Sequence, residues 1–391
     1  MTIAVVGASG FVGSSLVERL LDAGQSQVRP FIHRTGNAGR LARRDLPLRQ
    51  LDLLAREEIH AALEGCVAVV NCARGPSEVM LDGLRNLLDA SRAVGVRRFV
   101  HLSSVAAFGD VPTSRIVTED ARAELRPYSY GWIKAEQDKL VDRASNRGLS
   151  SVILCPPVIS GAYSPVLLNY VAAMEKGAFA LVDGGTMPCN LVDIENLIHA
   201  IRLTLETERA NGKRLFVTDD EETTWADLVA GLGPLAEVDG VPHLSRHQAE
   251  QQLGSDGPPP LSVKRALKHL VSADVRAALK KEPLFDRLER SAKTTFRKMP
   301  AAVQSFIGSG LREPRTWRAT RRSPYSELIL RQQLRNARYS CEQARIELGY
   351  RPLVTFSESM RAFTAFYRTL CGWQEEGWSL LTHLPRATAK E

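Results

Sequence analysis

The run Ile3-Ala4-Val5-Val6-Gly7-Ala8-Ser9-Gly10-Phe11-Val12-Gly13 constrains the fold more than any other stretch of this chain. Four apolar residues read as a buried strand, and Phe11, Val12, Leu16, Val17, Leu20 and Leu21 then recur with a helical period. Between strand and helix the glycines are spaced Gly-x-x-Gly-x-x-Gly. Gly7 permits a tight turn, Gly10 lets backbone approach a ligand, and Gly13 lets the helix pack on the strand. Free N–H groups and the dipole at such a helix start favour an anion. The turn therefore predicts a bound dinucleotide, its pyrophosphate against Gly7, Ser9, Gly10, Phe11, Val12 and Gly13.

The pattern continues through the first 160 residues. Predicted strands at Val28–His33, Leu48–Leu51, Val67–Val70, Arg98–Leu102 and Ser151–Leu154 alternate with predicted helices at Glu57–Leu63, Val79–Val94 and Tyr130–Arg147. Apolar strands separated by helices imply a parallel sheet covered on both faces, a doubly wound Rossmann α/β fold. Further elements are expected at Val166–Lys176, Ile194–Thr204, Leu215–Thr218, Trp225–Leu232, Cys341–Leu348 and Phe356–Tyr367. The expected organisation is a dinucleotide-binding domain (1–160), substrate-domain elements (161–253), a basic helical insert (254–325) and C-terminal helices that complete the substrate domain (326–391).

Two positions bear on which dinucleotide binds. After the second strand, where an acid would bind ribose hydroxyls, the chain reads Ile32-His33-Arg34-Thr35. Arg34 matches a 2′-phosphate, which points to NADP, with NAD as the alternative. Asp52 and Leu53 are placed to face the adenine, and Cys72 and Ala73, after the fourth strand, to lie along the cofactor.

The reactive candidates are Ser104, Tyr130 and Lys134. Tyr130 and Lys134 are four residues apart, so on a helix they share a face. A nearby ammonium is expected to favour the phenolate and bring the phenol toward working range as a general acid/base. Ser104 ends the fifth strand at the sheet's carboxyl edge, where it would orient a substrate oxygen. Lys134 doubles as a contact to the nicotinamide ribose.

On these motifs the chain resembles the extended short-chain dehydrogenase/reductases, the NAD-dependent epimerase/dehydratase group. The resemblance covers roughly Met1 to Asp227 and returns at Ser340–Phe356. It rests on the glycine turn, Ser104 before Phe108-Gly109, the Tyr130/Lys134 pair, Val192-Asp193-Ile194, and the Ser340–Pro352 stretch, which is similar to the group's C-terminal "KAxxxLGxxP" element. It implies hydride transfer between a nicotinamide and a carbinol or ketone of a small molecule, Pro157 among the cofactor contacts, and a homodimer. Two departures matter. The group's dehydratases follow the Ser/Thr with Asp-Glu; here Val105-Ala106 stand there, which argues against dehydration. Many of its sugar-nucleotide epimerases carry Arg-Tyr-Phe-Asn where this chain has Cys155-Pro156-Pro157-Val158, which looks more like the reductases and hydroxysteroid-type dehydrogenases. A nucleotide-sugar epimerase with a retained cofactor and a non-catalytic, NAD(P)-sensing module are the alternatives. The substrate is expected to be a small molecule, with nucleotide-sugar and lipid-like ones both open.

Net charge is +7, unevenly spread. Residues 262–322 hold 16 Lys and Arg against 5 Asp and Glu, a net of +11, which leaves −4 for the rest. This segment reads as a helical cap with a solvated face. Two functional readings stand beside that: a lid whose Arg312, Arg315 and Arg318 meet a diphosphate, or a helix pair on an anionic membrane surface. No recognition motif accompanies the charge, so nucleic acid is not an expected partner. The cysteines (Cys66, Cys72, Cys155, Cys189, Cys341, Cys371) lack CxxC or metal spacing, and His243 and His247 lack a third ligand, so no metal is expected. With no apolar run of roughly 18 residues and no basic start leading into a hydrophobic stretch, the chain reads as cytoplasmic, membrane-peripheral if the basic segment docks on lipid.

Overall fold

A computed structural model describes residues 2–25, 27–44, 46–109, 115–121, 123–253 and 323–382. In chain order the strands are β1 (Thr2–Val6), β2 (Val28–Ile32), β3 (Arg49–Gln50), β4 (Cys66–Asn71), β5 (Arg98–Leu102), β6 (Ile116–Val117), β7 (Ser151–Cys155), β8 (Val158–Ser160), β9 (Leu181–Val182), β10 (Leu191–Asp193), β11 (Arg214–Phe216), β12 (His243–Leu244) and β13 (Arg338–Tyr339). The helices are α1 (Phe11–Asp22), α2 (Arg56–Leu63), α3 (Leu84–Ala93), α4 (Tyr130–Ser145), α5 (Pro165–Glu175), α6 (Ile194–Glu206), α7 (Trp225–Leu232), α8 (Arg246–Leu253), α9 (Glu327–Leu334), α10 (Glu342–Leu348) and α11 (Phe356–Thr382). The described residues on either side of 253–324 belong to one compact unit. The helical spacing expected over residues 263–279 and 284–307 of the basic segment, and the arginines assigned there, lie outside the described residues.

The centre is a seven-stranded sheet, ordered β11-β7-β5-β4-β1-β2-β3 and parallel at every pairing. It explains why β1 is apolar at consecutive positions. Ile3 and Val5 pack into the core beside Leu16 and Val17 of α1 and Leu197 and Ile201 of α6. Ala4 and Val6 join the opposite core with Ile59 and Leu63 of α2 and Leu87 and Leu88 of α3. A strand covered on both faces has no polar side to show. A third core gathers Tyr170 of α5, Phe179, Trp225 and Leu228 of α7, and Phe363 of α11. Its rings meet at tilted and edge-on angles, with Tyr170 and Trp225 centroids 5.8 Å apart and their planes at 60°.

Most predicted elements appear within a few residues of their expected bounds. The expected helix over Val79–Val94 opens instead with a π-helical turn at Val79–Gly83, and the α-helix begins at Leu84. Gly83 faces Leu53, whose Cβ would lie 2.8 Å from any added Cβ, and Gln137 of α4 donates to the Met80 carbonyl at 2.6 Å. α11 also runs well past Tyr367. Four two-residue strands were not expected: β13 pairs in parallel with β6, and β12 with β9.

One buried acid joins these elements and carries a prediction. Asp219 Oδ1 accepts from the Asp193 amide and from Asn196 Nδ2, each at 2.7 Å, and Asn196 in turn binds the backbone of Leu353 and Val354. Burial holds the Asp219 carboxyl up at about 7, with the Asn196 and Asp193 hydrogen bonds pulling the other way. The folded chain therefore holds this proton more tightly than the unfolded chain does. Stability from this group is greatest below its ordinary value of 3.8 and is lost as pH rises toward 7. Asp219→Asn, which keeps the accepting oxygen, is expected to raise the unfolding midpoint relative to the parent near pH 8. Urea or thermal unfolding should show that advantage vanish near pH 4; an equal difference at both pH values would refute the assignment.

Candidate active site

The glycine turn is built by backbone contact. Gly7 has φ +78°, and a Cβ there would lie 2.8 Å from the Ala73 backbone. A Cβ on Gly13 would lie 2.3 Å from the Gly7 carbonyl oxygen. Gly10 is different: an added Cβ would meet only that same oxygen, at 3.3 Å, so its outer side is open. Gly10 also caps α1 without a side-chain hydrogen bond, which leaves the first-turn amides uncommitted to any cap. An open, uncapped helix start of this kind fits a pyrophosphate.

The other expected cofactor contacts lie around this turn in different settings. Arg34 is exposed and precedes a single 3₁₀ turn (Thr35–Asn37). Among the described residues no carboxylate pairs with it, whereas Arg40 is held by Glu18 at 2.6 Å and Arg44 by Asp22 at 3.1 Å. Asp52 is exposed and accepts from the Leu54 amide at 2.9 Å, so part of its carboxylate closes its own turn. Leu53 is a core residue beneath Gly83. The Cys72 amide extends the β1–β4 ladder by donating to Val6 O, and burial pushes the Cys72 thiol up to about 12, which keeps it protonated and inert. Pro157, half-buried, stands between β7 and β8.

Ser104, Tyr130 and Lys134 come together. β5 delivers Ser104, which caps a 3₁₀ turn (Val105–Phe108) by accepting from the Ala106 amide at 3.2 Å. Ser129 caps α4 in the same way through the Trp132 amide, so Tyr130 is its first residue. The Ser104 side chain is near enough to the Tyr130 hydroxyl to pull the phenol toward ionisation. Tyr130 is 39% exposed and Lys134 only 4%. The Lys134 Nζ donates to the Leu102 carbonyl at 2.8 Å and lies 6.0 Å from the Tyr130 ring centroid.

The electrostatics depart from the expectation that Lys134 lowers the phenol. Burial holds the Tyr130 hydroxyl above its ordinary value, and what pulls it back is the Arg74 charge and the Ser104 side chain. Lys134 is anchored on the Leu102 carbonyl, and burial brings its ammonium down to about 8, with Asp138 acting against that.

Three residues at the site escaped the sequence reading. Asp138 lies four residues beyond Lys134 on the same stripe of α4 and is 1% exposed; burial raises its carboxyl to about 6, and Arg214 Nε stands 3.4 Å away. The Tyr130-Lys134-Asp138 spacing was visible, but which face it turned inward was not. Arg74, just after Cys72-Ala73, places its guanidinium carbon 5.0 Å from the Tyr130 ring centroid. Gly131 lies where an added Cβ would be 2.2 Å from the Ala106 carbonyl oxygen. Nearby, the Nδ1 of buried His101 accepts from Asn71 Nδ2 at 3.2 Å, and burial, with Lys134 close by, keeps the ring neutral. Among the described residues no three His, Cys, Asp or Glu side chains cluster as metal ligands, and no helix is long and apolar enough to cross a membrane.

Residues 3–217, more than half of the chain, match the family model described as the NAD dependent epimerase/dehydratase family. Cinnamoyl-CoA reductase 2 of Medicago truncatula is 30% identical over 239 residues, covering 54% of this chain and 70% of that one. The human sterol-4-alpha-carboxylate 3-dehydrogenase, decarboxylating, is 27% identical over 237 residues, 56% of this chain and 62% of its own length. Among solved structures, UDP-glucuronic acid 4-epimerase from Bacillus cereus in complex with NAD aligns over 95% of this chain and 99% of that one, with TM-score 0.63 at 17% identity, a likeness of fold.

Proposed function

The chain belongs to the NAD dependent epimerase/dehydratase family and is an enzyme of the extended short-chain type; from that premise we propose that it is an NADP-preferring reductase or dehydrogenase acting on a ketone or carbinol carbon. The observation that carries this reading is the meeting of Ser104, Tyr130 and Lys134 at the carboxyl end of β5, in a sheet whose β1 ends in the open glycine turn. The α1 amides would hold the pyrophosphate, Arg34 the 2′-phosphate, Asp52 and Leu53 the adenine side, Cys72, Ala73 and Pro157 the length of the cofactor, and Lys134 the nicotinamide ribose. Bound there, the nicotinamide supplies or accepts the hydride. Tyr130 gives its hydroxyl proton to the carbonyl oxygen in reduction and takes it back from the carbinol in oxidation. Ser104 fixes that oxygen beside the phenol. The bond to Leu102 O holds the Lys134 ammonium still, so its charge stays close to the ring while the proton moves.

The relatives point to different substrates by name: one to a CoA thioester, the other to a sterol with a carboxylate at C4 beside the C3 it dehydrogenates. The substrate of this chain is therefore set by its own pocket residues. The reading is tested by following NADPH and NADH oxidation at 340 nm against a panel of aldehydes and ketones. Turnover that needs added cofactor supports it. A purified protein that retains nicotinamide and inverts a carbinol without any added would favour an epimerase instead. Arg34→Ala is expected to lower the NADP-over-NAD preference by about 10- to 100-fold, the loss of one charge-assisted contact. Calorimetric affinities for both cofactors measure this, and an unchanged ratio removes Arg34 from the phosphate site.

A further inference from the structure

The residue that most distinguishes the mouth of this site is Arg74. Its chain position is fixed, because the neighbouring Ala73 backbone lies against Gly7. Its guanidinium reaches back to 5.0 Å from the Tyr130 ring centroid. Three other arginines nearby are held by carboxylates, whereas Arg34, also unpaired among the described residues, follows β2 and is taken up by the cofactor in the arrangement above. Arg40 forms a two-pronged pair with Glu18, Arg19 with Glu195, and Arg214 lies between Asp138 and Asp142. Arg74 is exposed, and no carboxylate among the described residues pairs with it. Lys134, the second cation at Tyr130, has its acid, Asp138, on the buried side, where Arg214 already meets it. Among the described residues, the solvent side of Tyr130 thus holds the Arg74 cation without an ion-paired acid.

We propose that Arg74 is the anion-recognition residue of the substrate pocket, and that the substrate carries a carboxylate one or two carbons from the carbon that reacts. This rests on the reductase reading above. A carbonyl oxygen hydrogen-bonded to Tyr130 leaves its neighbouring carbons beside the guanidinium, whose planar fork matches a carboxylate with two parallel hydrogen bonds. Arg74 is a specificity residue, and the same charge also eases ionisation of the phenol.

The test compares 3-hydroxydecanoate with its methyl ester, in the parent, Arg74→Gln and Arg74→Lys, by kcat/KM with NADP and by calorimetric binding in the presence of NADP. The parent is expected to prefer the acid by about 100-fold. In Arg74→Gln the ratio should collapse toward parity, whatever loss both compounds share from the missing charge beside Tyr130, and Arg74→Lys should restore part of it. A parent that prefers the ester, or a ratio that Arg74→Gln leaves unchanged, overturns the proposal. So does an NADP affinity that falls as far as the acid's, since Arg74 would then serve the cofactor. If the parent binds the acid through Arg74 but oxidises neither compound and reduces no member of the carbonyl panel, the reductase reading fails while the anion site stands.

Discussion

Tyr130→Phe is expected to lower kcat by about 10³-fold and to leave cofactor affinity within a few-fold of the parent, as the loss of one positioned proton donor implies. The substitution removes a single oxygen. The ring, its place at the start of α4 and the Arg74 guanidinium above it all persist. Lys134 keeps its bond to Leu102 O, so the groove that takes the nicotinamide ribose in the proposed arrangement is unchanged. Steady-state turnover beside calorimetric cofactor binding separates the two effects. Full turnover in the variant would mean that another group moves the proton, and the Ser104-Tyr130-Lys134 mechanism would fall. A fall in cofactor affinity as large as the fall in kcat would mean that the phenol holds the cofactor instead.

Gly131→Ala should cost nearly as much by a different route. Its methyl group would sit 2.2 Å from the Ala106 carbonyl oxygen, with the Leu125 side chain at 3.3 Å. Backbone cannot yield as a side-chain tip does, so α4 must move away from the Val105–Phe108 turn by about 1 Å to regain ordinary contact. Ser104 stays with that turn while Tyr130 leaves with the helix. A misplacement of that size is expected to cost about 10²-fold in kcat, with the unfolding midpoint lowered by a few degrees. The control is Gly148→Ala, where an added Cβ meets nothing within 4 Å: it tests the strain of a positive φ without crowding, and should leave kcat near the parent value. Equal kcat in Gly131→Ala and the parent would show that Ser104 and Tyr130 need not be held at fixed separation.

How much of this was legible in the sequence depended on how local the cause was. The strand Ile3–Val6 could be read because burial on both faces writes itself as consecutive apolar residues. Tyr130 and Lys134 could be paired because the helical period alone brings them to one face. Gly13 could be assigned because the contact it permits is only six residues back, at Gly7. Gly131 looked like an ordinary helical glycine, since the oxygen that forbids a side chain there belongs to Ala106, on another element. Arg74 was out of reach for a similar reason: a loop position can be placed at the end of a strand, but where its long side chain lies depends on α4. Spacing paired Lys134 with the phenol but could not show that Arg74 and Ser104 are the groups that pull it down, or that the Leu102 carbonyl anchors the ammonium. Two-residue strands have no period to read, and β13 finds β6 only across more than two hundred residues.

That last pairing has a consequence for how the protein is made. Arg338 N donates to Arg115 O and Ser340 N to Val117 O, while Asn190 ties Ala337 and Tyr339 from the other side. At ribosomal speeds of about 5 to 20 residues per second, β6 waits roughly 10 to 45 seconds after its own synthesis before its partner exists. Through that interval a nascent chain carries an open strand edge, with Ile116 exposed beside it, at a time when the dinucleotide-binding sheet can already have closed. A closed dinucleotide-binding sheet and an unfinished edge then coexist on one molecule, and the edge is the part left to be shielded until the last strand arrives.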